Sequence, residues 1–347
     1  MKPLRILQVG YFDRKRLQRR WFNTEHKLAQ GLARAGHFVL RFSDRDEARD
    51  ATLIASRRIG AKRMNERLVE TARHFRPQLI LFHHADLIAT DTYDALREAS
   101  PGTRLTQVCV DSVERPATMA AFSARAAHVD ISFMTTADSE ALRRLAPREG
   151  SIAFLPNPVD PSVETARVFD VPASDLPWDA VFLGNGYGNR EEQLAQIKGE
   201  LPEGFRFHVE GGAFDTRRLS SLEFLETLAN GAMSPSIPID DSAPVPFLYS
   251  SDRMAQLLGQ GVVALTPVSA RQSTLYDDGV VEFASRAECA AAMADLWRDD
   301  VRRRRIGETG WRIAHSRTNS TRVARYLCEA VFRETFSEPY EWPVERR

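Results

Sequence analysis

The chain has 347 residues, about two domains at a usual ~150 residues each, and either half is long enough to bury a core without disulfide or metal staples. Hydrophobic residues at 43% and charged residues at 27% are ordinary globular usage, which excludes a disordered, collagenous or coiled-coil chain. Lys plus Arg and Asp plus Glu balance at 47 each, so no net field draws the molecule to nucleic acid, and electrostatic recognition must be local.

Cys109, Cys289 and Cys328 are odd in number and widely spaced, with no CxxC pair. Neither a disulfide framework nor a zinc site is expected, and a reducing, cytoplasmic setting fits best. No apolar run approaches the ~18 residues of a membrane span. The N-terminus passes from Lys2 and Arg5 straight into a strand-like run without a secretory h-region.

Leu4 to Gly10 is a short apolar run ending in glycine, the pattern of a buried parallel strand that delivers its carboxyl end to a loop. A helix follows, capped at Asn23 or Thr24, with Leu28 and Leu32 on one face and Gly36 as its stop. His37 to Phe42 completes a βαβ unit. The alternation continues through strands at Gln78 to His83, Arg104 to Asp111, Ile131 to Thr135 and Ile152 to Leu155, with helices at Asp91 to Glu98 and around Met119 to Ala127. Periodicity lapses from Pro156 to Pro177, where five prolines mark a linker.

A second βα series begins with strands at Ala180 to Gly184, Arg206 to Val209, Val262 to Thr266 and Val280 to Phe283. Helices start near Asn189, Ser221, Arg253 and Ser285, and two amphipathic segments, Val301 to Ala314 and Thr321 to about Phe332, end the series. The expected fold is α/β, with two Rossmann-like lobes facing a central cleft into which the carboxyl ends of both strand sets deliver their loops.

Four constellations stand at such ends. In Tyr249 to Gly261, Met254, Leu257 and Leu258 make an apolar helix face, while Arg253, Gln256 and Gln260 fall on the opposite one and Ser250 or Ser251 can cap. Arg253 near the positive helix end suits a diphosphate, although Asp252 opposes it; a capped helix with a solvated arginine is the plain alternative. The run Gly184, Asn185, Gly186, Tyr187, Gly188, Asn189, Arg190 follows a strand and could turn backbone amides toward a phosphate. It is GxGxG, not GxGxxG, and no ribose-binding acid follows, so NAD or FAD is not implied and a tight turn remains open.

In the first half, His83 and His84 end one strand and Asp111 and Glu114 follow another. Each suits a general base or a sugar-hydroxyl contact, and each suits a structural hydrogen bond equally. The loop after the first strand carries Arg14, Lys15, Arg16, Arg19 and Arg20 against Asp13 alone, flanked by aromatics. It reads as a site for an anionic acceptor or a membrane surface, or as a solvated loop. P-loop, zinc-protease and α/β-hydrolase signatures are absent from the sequence.

Taken in order, Arg5 to Gly10, Ala35 to Val39, Arg76 to Leu81, Leu155 to Asp160, Trp178 to Gly184, Arg253 to Gly261, Leu275 to Gly279 and His315 to Arg322 resemble glycosyltransferases of the GT-B fold, group 1 type. Within these they resemble the branch related to the spore maturation protein CgeB. The resemblance implies three regions: a first lobe (1–160) for the acceptor, a second (176–315) for a nucleotide sugar, and a C-terminal helix (316–347) returning to the first lobe. It implies a nucleoside-diphosphate sugar as donor, and a glycan, glycolipid or protein as acceptor, in cell-envelope glycan synthesis. No metal or other cofactor is required, nucleic acid is not a partner, and peripheral association with the inner face of a membrane is foreseen.

Carried over, Gly184, Gly186, Tyr187, Gly188, Arg190, Tyr249, Ser250, Ser251, Arg253, Gln256, Ser273 and Thr274 would face the nucleotide sugar, Asp111 would be the base of an inverting reaction, and His83 or His84 would touch the sugar. The sequence departs from the family twice. Gln256 replaces the glutamate of R-x-x-E, and Ser273 or Thr274 replaces the acid before Leu275. These changes leave room for a binding or scaffold protein on a degenerate transferase fold, and a sugar-nucleotide epimerase is a third reading.

Overall fold

The computed structural model describes residues 1–345; the Arg16 side chain, Arg346 and Arg347 lie outside the described residues. The chain divides into two compact units, Met1–Pro158 with Ser320–Arg347, and Val159–Asn319. Each is an α/β layer structure around a parallel sheet, so the expected pair of α/β lobes is what the chain forms.

The first unit runs β1 (Arg5–Gly10), α1 (Thr24–Arg34), β2 (Phe38–Ser43), α2 (Asp44–Asp50), α3 (Arg57–Phe75), β3 (Leu79–His83), α4 (Thr90–Ala99), β4 (Arg104–Cys109), α5 (Pro116–Ala126), β5 (Ile131–Met134), α6 (Ser139–Leu145) and β6 (Ser151–Phe154). The strand order is β2-β1-β3-β4-β5-β6, all parallel. Strands buried on both faces need continuous apolar runs, and Ile6, Leu7, Val9 and Leu79 to Phe82 supply them with almost no exposure. The order reverses between β1 and β3, where open α/β sheets form their ligand crevice.

The second unit runs β7 (Trp178–Leu183), α7 (Arg190–Gly199), β8 (Phe207–Glu210), α8 (Leu222–Ala229), β9 (Gly231–Pro235), α9 (Asp252–Gln260), β10 (Val263–Pro267), α10 (Ser273–Tyr276), β11 (Val280–Phe283), α11 (Arg286–Arg298) and α12 (Asp300–Arg317). Its order is β11-β10-β9-β7-β8, again all parallel, with the reversal between β7 and β9. Phe182, Met233, Val263, Leu265 and Met293 lie in one core. The last helix, α13 (Ser320–Phe332), belongs to the first unit, where it lies against α1 so closely that a Cβ on Gly31 would sit 2.0 Å from the Ser320 carbonyl oxygen.

Three expectations need correction. The segment from Pro156 to Pro177 is not a loose linker: from Val159 on it packs into the second unit, with Val163, Val168, Phe169 and Leu176 buried and Arg303 donating to the Val168 and Val171 carbonyls. A strand unforeseen in the sequence, β9, occupies the centre of the second sheet. Gly-Ala-Met-Ser-Pro has little β propensity, but this strand is crowded; a Cβ at Gly231 would meet the Val181 side chain at 2.5 Å. Helices α2 and α3, also unforeseen, fill the stretch between β2 and β3.

Candidate functional site

In the second unit, the reversal point is spanned by one side chain. Arg253, in the first turn of α9, donates from Nε to the Leu183 carbonyl at the end of β7 (3.3 Å) and from Nη1 to the Ile237 carbonyl just beyond β9 (3.5 Å). Its guanidinium lies 4.5 Å from the centre of the Phe182 ring. Arg190 approaches the same ring at 5.7 Å, donating from Nη1 to the Asn185 carbonyl (3.0 Å) and from Nε to the Pro238 carbonyl (3.2 Å).

Among the described residues neither arginine forms an ion pair with a carboxylate. Burial, and next the charge of Arg253, push Arg190 down to about 9; burial also lowers Arg253. Two desolvated, like-charged guanidiniums beside one aromatic ring are a costly arrangement unless an anion joins them. Ser251 precedes α9 without a side-chain cap, and its carbonyl accepts from the Met254 amide (3.0 Å). Beside the carbonyls of Ile237 and Pro238 opens a cavity of ≈ 310 Å³, lined also by Val245, Pro267 and Phe283, within the size range of small-ligand sites.

The glycine loop is as narrow as its sequence suggests, for a reason the sequence hides. A Cβ on Gly184 would meet Arg253 Nη2 at 2.7 Å, one on Gly186 would meet Glu191 Oε1 at 2.1 Å, and Gly188 has φ +66° against the Ile239 carbonyl oxygen at 2.2 Å. Glu191 and Glu192 occupy the first turn of α7, and Glu191 accepts from the Phe214 amide (2.6 Å). That helix end therefore already holds its negative charge. Tyr187 is exposed, its hydroxyl accepting from Arg218 at 3.4 Å.

Gln256 and Gln260 were expected on an open polar face of α9 and are instead each 3% exposed. Gln260 bridges chain segments, accepting from the Ala166 amide (2.9 Å) and donating to the Leu225 carbonyl (3.0 Å). The Gln256 side chain makes no hydrogen bond among the described residues. Tyr249 acts electrostatically on both arginines, and its carbonyl accepts from Gln272 (2.9 Å); Ser250 stands between it and the cap residue Ser251. Ser273 is not free to replace a missing acid: its amide and hydroxyl both donate to Glu282 of β11, at 3.0 and 3.1 Å, while Thr274 is exposed. Sequence spacing did not reveal Glu282, because it reaches this place across the sheet.

In the first unit, the reversal point gathers Gly10, His83 and His84, with Glu25 in the first turn of α1. A Cβ on Gly10 would stand 3.2 Å from the His83 carbonyl oxygen. His83 was expected to face a ligand, and here a correction is needed: it is fully buried, with Nδ1 3.1 Å from Glu25 Oε1, close enough for ionic attraction though outside hydrogen-bond geometry. Burial alone would raise the Glu25 carboxyl; the charge of His83 outweighs it and holds Glu25 at about 2. Glu25 was not singled out in the sequence, where it reads as an ordinary first-turn helix acid.

His84 does reach the surface, with its ring packed edge-on against His83 and Nδ1 3.7 Å from Asp111 Oδ2. Burial, and next the charge of His83, lower His84 and favour a neutral ring. Asp111 is partly exposed and accepts from Arg115 at 2.9 Å. One ligand atom each of His84, Cys109 and Asp111 lie within 4.8 Å of one another, although burial pushes the Cys109 thiol up to about 12 and so favours its protonated form.

The basic loop after β1 is less cationic than its sequence. Arg14 pairs with Glu47 at 2.6 Å and Lys15 pairs with Asp50, both acids coming from the unforeseen α2. Arg19 and Arg20 are exposed, and the Arg16 side chain lies outside the described residues.

Residues 190–329 match the family model described as glycosyl transferase-like. No curated protein matches the sequence. Among solved structures, the chain is similar to sucrose-phosphate synthase from Thermosynechococcus elongatus, with TM-score 0.61 at 13% identity over 95% of this chain and 98% of that one. It is similar to Anabaena HepE in complex with UDP, with TM-score 0.60 at 12% identity over 95% and 100%. AviGT4, a glycosyltransferase involved in avilamycin A biosynthesis, gives 0.57 at 14% identity over 95% and 98%. The chain thus has the two-lobed α/β fold of GT-B glycosyltransferases, and residues 190–329 carry a glycosyl transferase-like sequence.

Proposed function

We propose that the protein is a glycosyltransferase of the group 1 type, CgeB-like, that moves a sugar from a nucleoside diphosphate to a glycan, glycolipid or protein acceptor of the cell envelope, without a required metal. The observation that carries this reading is the pair Arg253 and Arg190, both over the Phe182 ring at a sheet reversal point and with no carboxylate partner among the described residues. A diphosphate supplies the missing anion. The similarity to HepE, solved in complex with UDP, makes UDP the first nucleotide to test.

In the proposed reaction the second unit holds the donor and the first supplies the base. An acceptor hydroxyl attacks the anomeric carbon as the bond from that carbon to the diphosphate oxygen breaks. Its proton passes to Asp111, which Arg115 holds in place and His84 adjoins. The electron pair leaves with the nucleoside diphosphate, whose growing charge Arg253 and Arg190 meet. Gln256 can offer a ribose hydroxyl both a donor and an acceptor, though not the charge of a glutamate.

Titration calorimetry with UDP, GDP and CMP, alone and sugar-linked, tests the reading. One nucleotide is expected to bind and Arg253→Ala to weaken it at least ~30-fold, the loss of charge-assisted contacts. Binding by none of them overturns it. Donor turnover that releases the nucleoside diphosphate, persists in a chelator and needs an acceptor distinguishes transfer from binding alone; an isomerised sugar without acceptor marks an epimerase.

A further inference from the structure

The turn from α2 into α3 and the first two turns of α3 carry side chains that nothing in the first unit covers. Leu53 is fully exposed, and Ile54 and Ile59 keep 73% and 64% of their surface. Single exposed apolar residues are common, but three large aliphatics within seven positions mark a contact surface.

Four cations surround them. Arg57, Arg58, Lys62 and Arg63 are exposed, and none takes part in an ion pair among the described residues. Further along the same helix the basic residues are matched: Arg67 with Glu47, and Arg73 with Glu70. The first turn of α3 holds no acid, so Arg57 and Arg58 stand at the positive helix end, working against the dipole unless an anion lies over them. At 100° per residue, Arg58, Ile59, Lys62 and Arg63 share one face, opposite the buried Gly60, Met64 and Leu68. The helix is held in that orientation, because Gly60 packs on Ala48 so closely that a Cβ would fall 1.8 Å from its carbonyl oxygen.

We propose that this surface, Leu53 to Arg63, seats the first unit on an anionic lipid bilayer. Leu53 and Ile54 enter the acyl boundary, and Arg58, Lys62 and Arg63 lie among the headgroup phosphates, with Arg57 adding its charge at the helix end. Charge complementarity selects the anionic surface, and the aliphatics select lipid over nucleic acid, on which they would remain in water and offer no ring for base stacking. The basic loop at Arg14 and Lys15 is not this surface, since Glu47 and Asp50 neutralise it. The proposal stands without the transferase reading, because it needs no donor or acceptor.

Vesicle co-sedimentation of the full chain tests it, comparing phosphatidylglycerol mixed with phosphatidylcholine against phosphatidylcholine alone. The protein is expected to partition onto the anionic vesicles only, less so as salt rises. Replacing Leu53 and Ile54 by serine is expected to lower partitioning about tenfold or more. Converting Arg57, Arg58, Lys62 and Arg63 to glutamine should lower it by over ~100-fold, at about fivefold per cation. All these side chains are exposed, so the melting temperature should be unchanged. The indole introduced by Leu53→Trp should shift its emission to the blue on anionic vesicles. Failure of the wild-type chain to prefer anionic vesicles, or an indole that stays in water, overturns the proposal. So does loss of binding in the glutamine variant with none in the serine variant, which would reduce the contact to charge alone and leave the aliphatics out of it.

Discussion

The guanidinium of Arg253 lies over the Phe182 ring, 4.5 Å from its centre, so that one aromatic side chain serves both the core and the candidate site. Phe182 is buried among the sheet residues below, and its ring is the floor on which two cations are held. Phe182→Leu keeps most of the apolar volume and removes the ring quadrupole. It is expected to weaken nucleotide binding about 3- to 30-fold, the usual range of a desolvated cation–π contact, with a smaller effect on thermal stability. Calorimetry beside thermal melting separates the two; an unchanged affinity would show that the ring does not position the arginines.

Gly186→Ala tests the glycine loop. Its new methyl would collide with Glu191 Oε1, which the Phe214 amide holds from the other side. A loss of about 1–3 kcal/mol in urea unfolding is expected, as for an overpacked site. Adding Glu191→Ala should restore much of it; a double variant no better than the single one would place the strain elsewhere.

Asp111→Asn keeps the size of the side chain and removes the proposed proton acceptor. Turnover is expected to fall roughly 10²- to 10⁴-fold while donor affinity stays within about twofold, since Asp111 belongs to the first unit and the arginines to the second. A parallel loss of donor affinity would make Asp111 structural.

Glu25 links the first unit to acid stability. Its carboxyl is held at about 2, below an unfolded value near 4.5, so the unfolded chain binds the proton more readily. The stabilisation is present above pH ~4.5 and is lost as pH falls toward ~2, an effect on the order of 2–3 kcal/mol. Urea titrations across this window should show the drop in the wild type, and Glu25→Gln should flatten it.

Asp44 behaves in the opposite sense. Burial raises it to about 7 from 3.8, so its contribution is intact below pH ~4 and is lost as pH rises through ~7. One of its oxygens has no partner, while the other accepts from the Arg45 amide at 2.7 Å. Asp44→Asn is expected to stabilise the protein at pH 8 by a few kcal/mol at most, and to change little at pH 4. Equal melting shifts at both values would remove the link to ionisation.

Much of the architecture was legible because local pattern and tertiary need agree. The run to Gly10, the helix from about Arg253 and the strand end at His83 lie where apolar periodicity puts them, whereas β4 stops at Cys109, two residues short of Asp111. What was not legible depends on neighbours. β9 is a strand because β7 and β10 flank it, and α3 hides Met64, Leu68 and Ala72 at fourfold spacing within a stretch dominated by charge. Glu25 and Glu282 acquire their places only when α1 folds against β3 and β11 pairs with β10. Likewise, the pairing of Arg14 and Lys15 needs α2, so a charge count along the loop overstated its field.

Helix α13 gives the molecule an order of assembly. Its contact with α1, tight enough to demand Gly31 against Ser320, means that the first unit is closed by a segment synthesised after the whole of the second. During translation the six-stranded sheet waits with one flank of α1 bare, while the whole of Val159–Asn319 is already available to fold. A stop codon just before Ser320 therefore harms the unit built from Met1–Pro158 and spares Val159–Asn319.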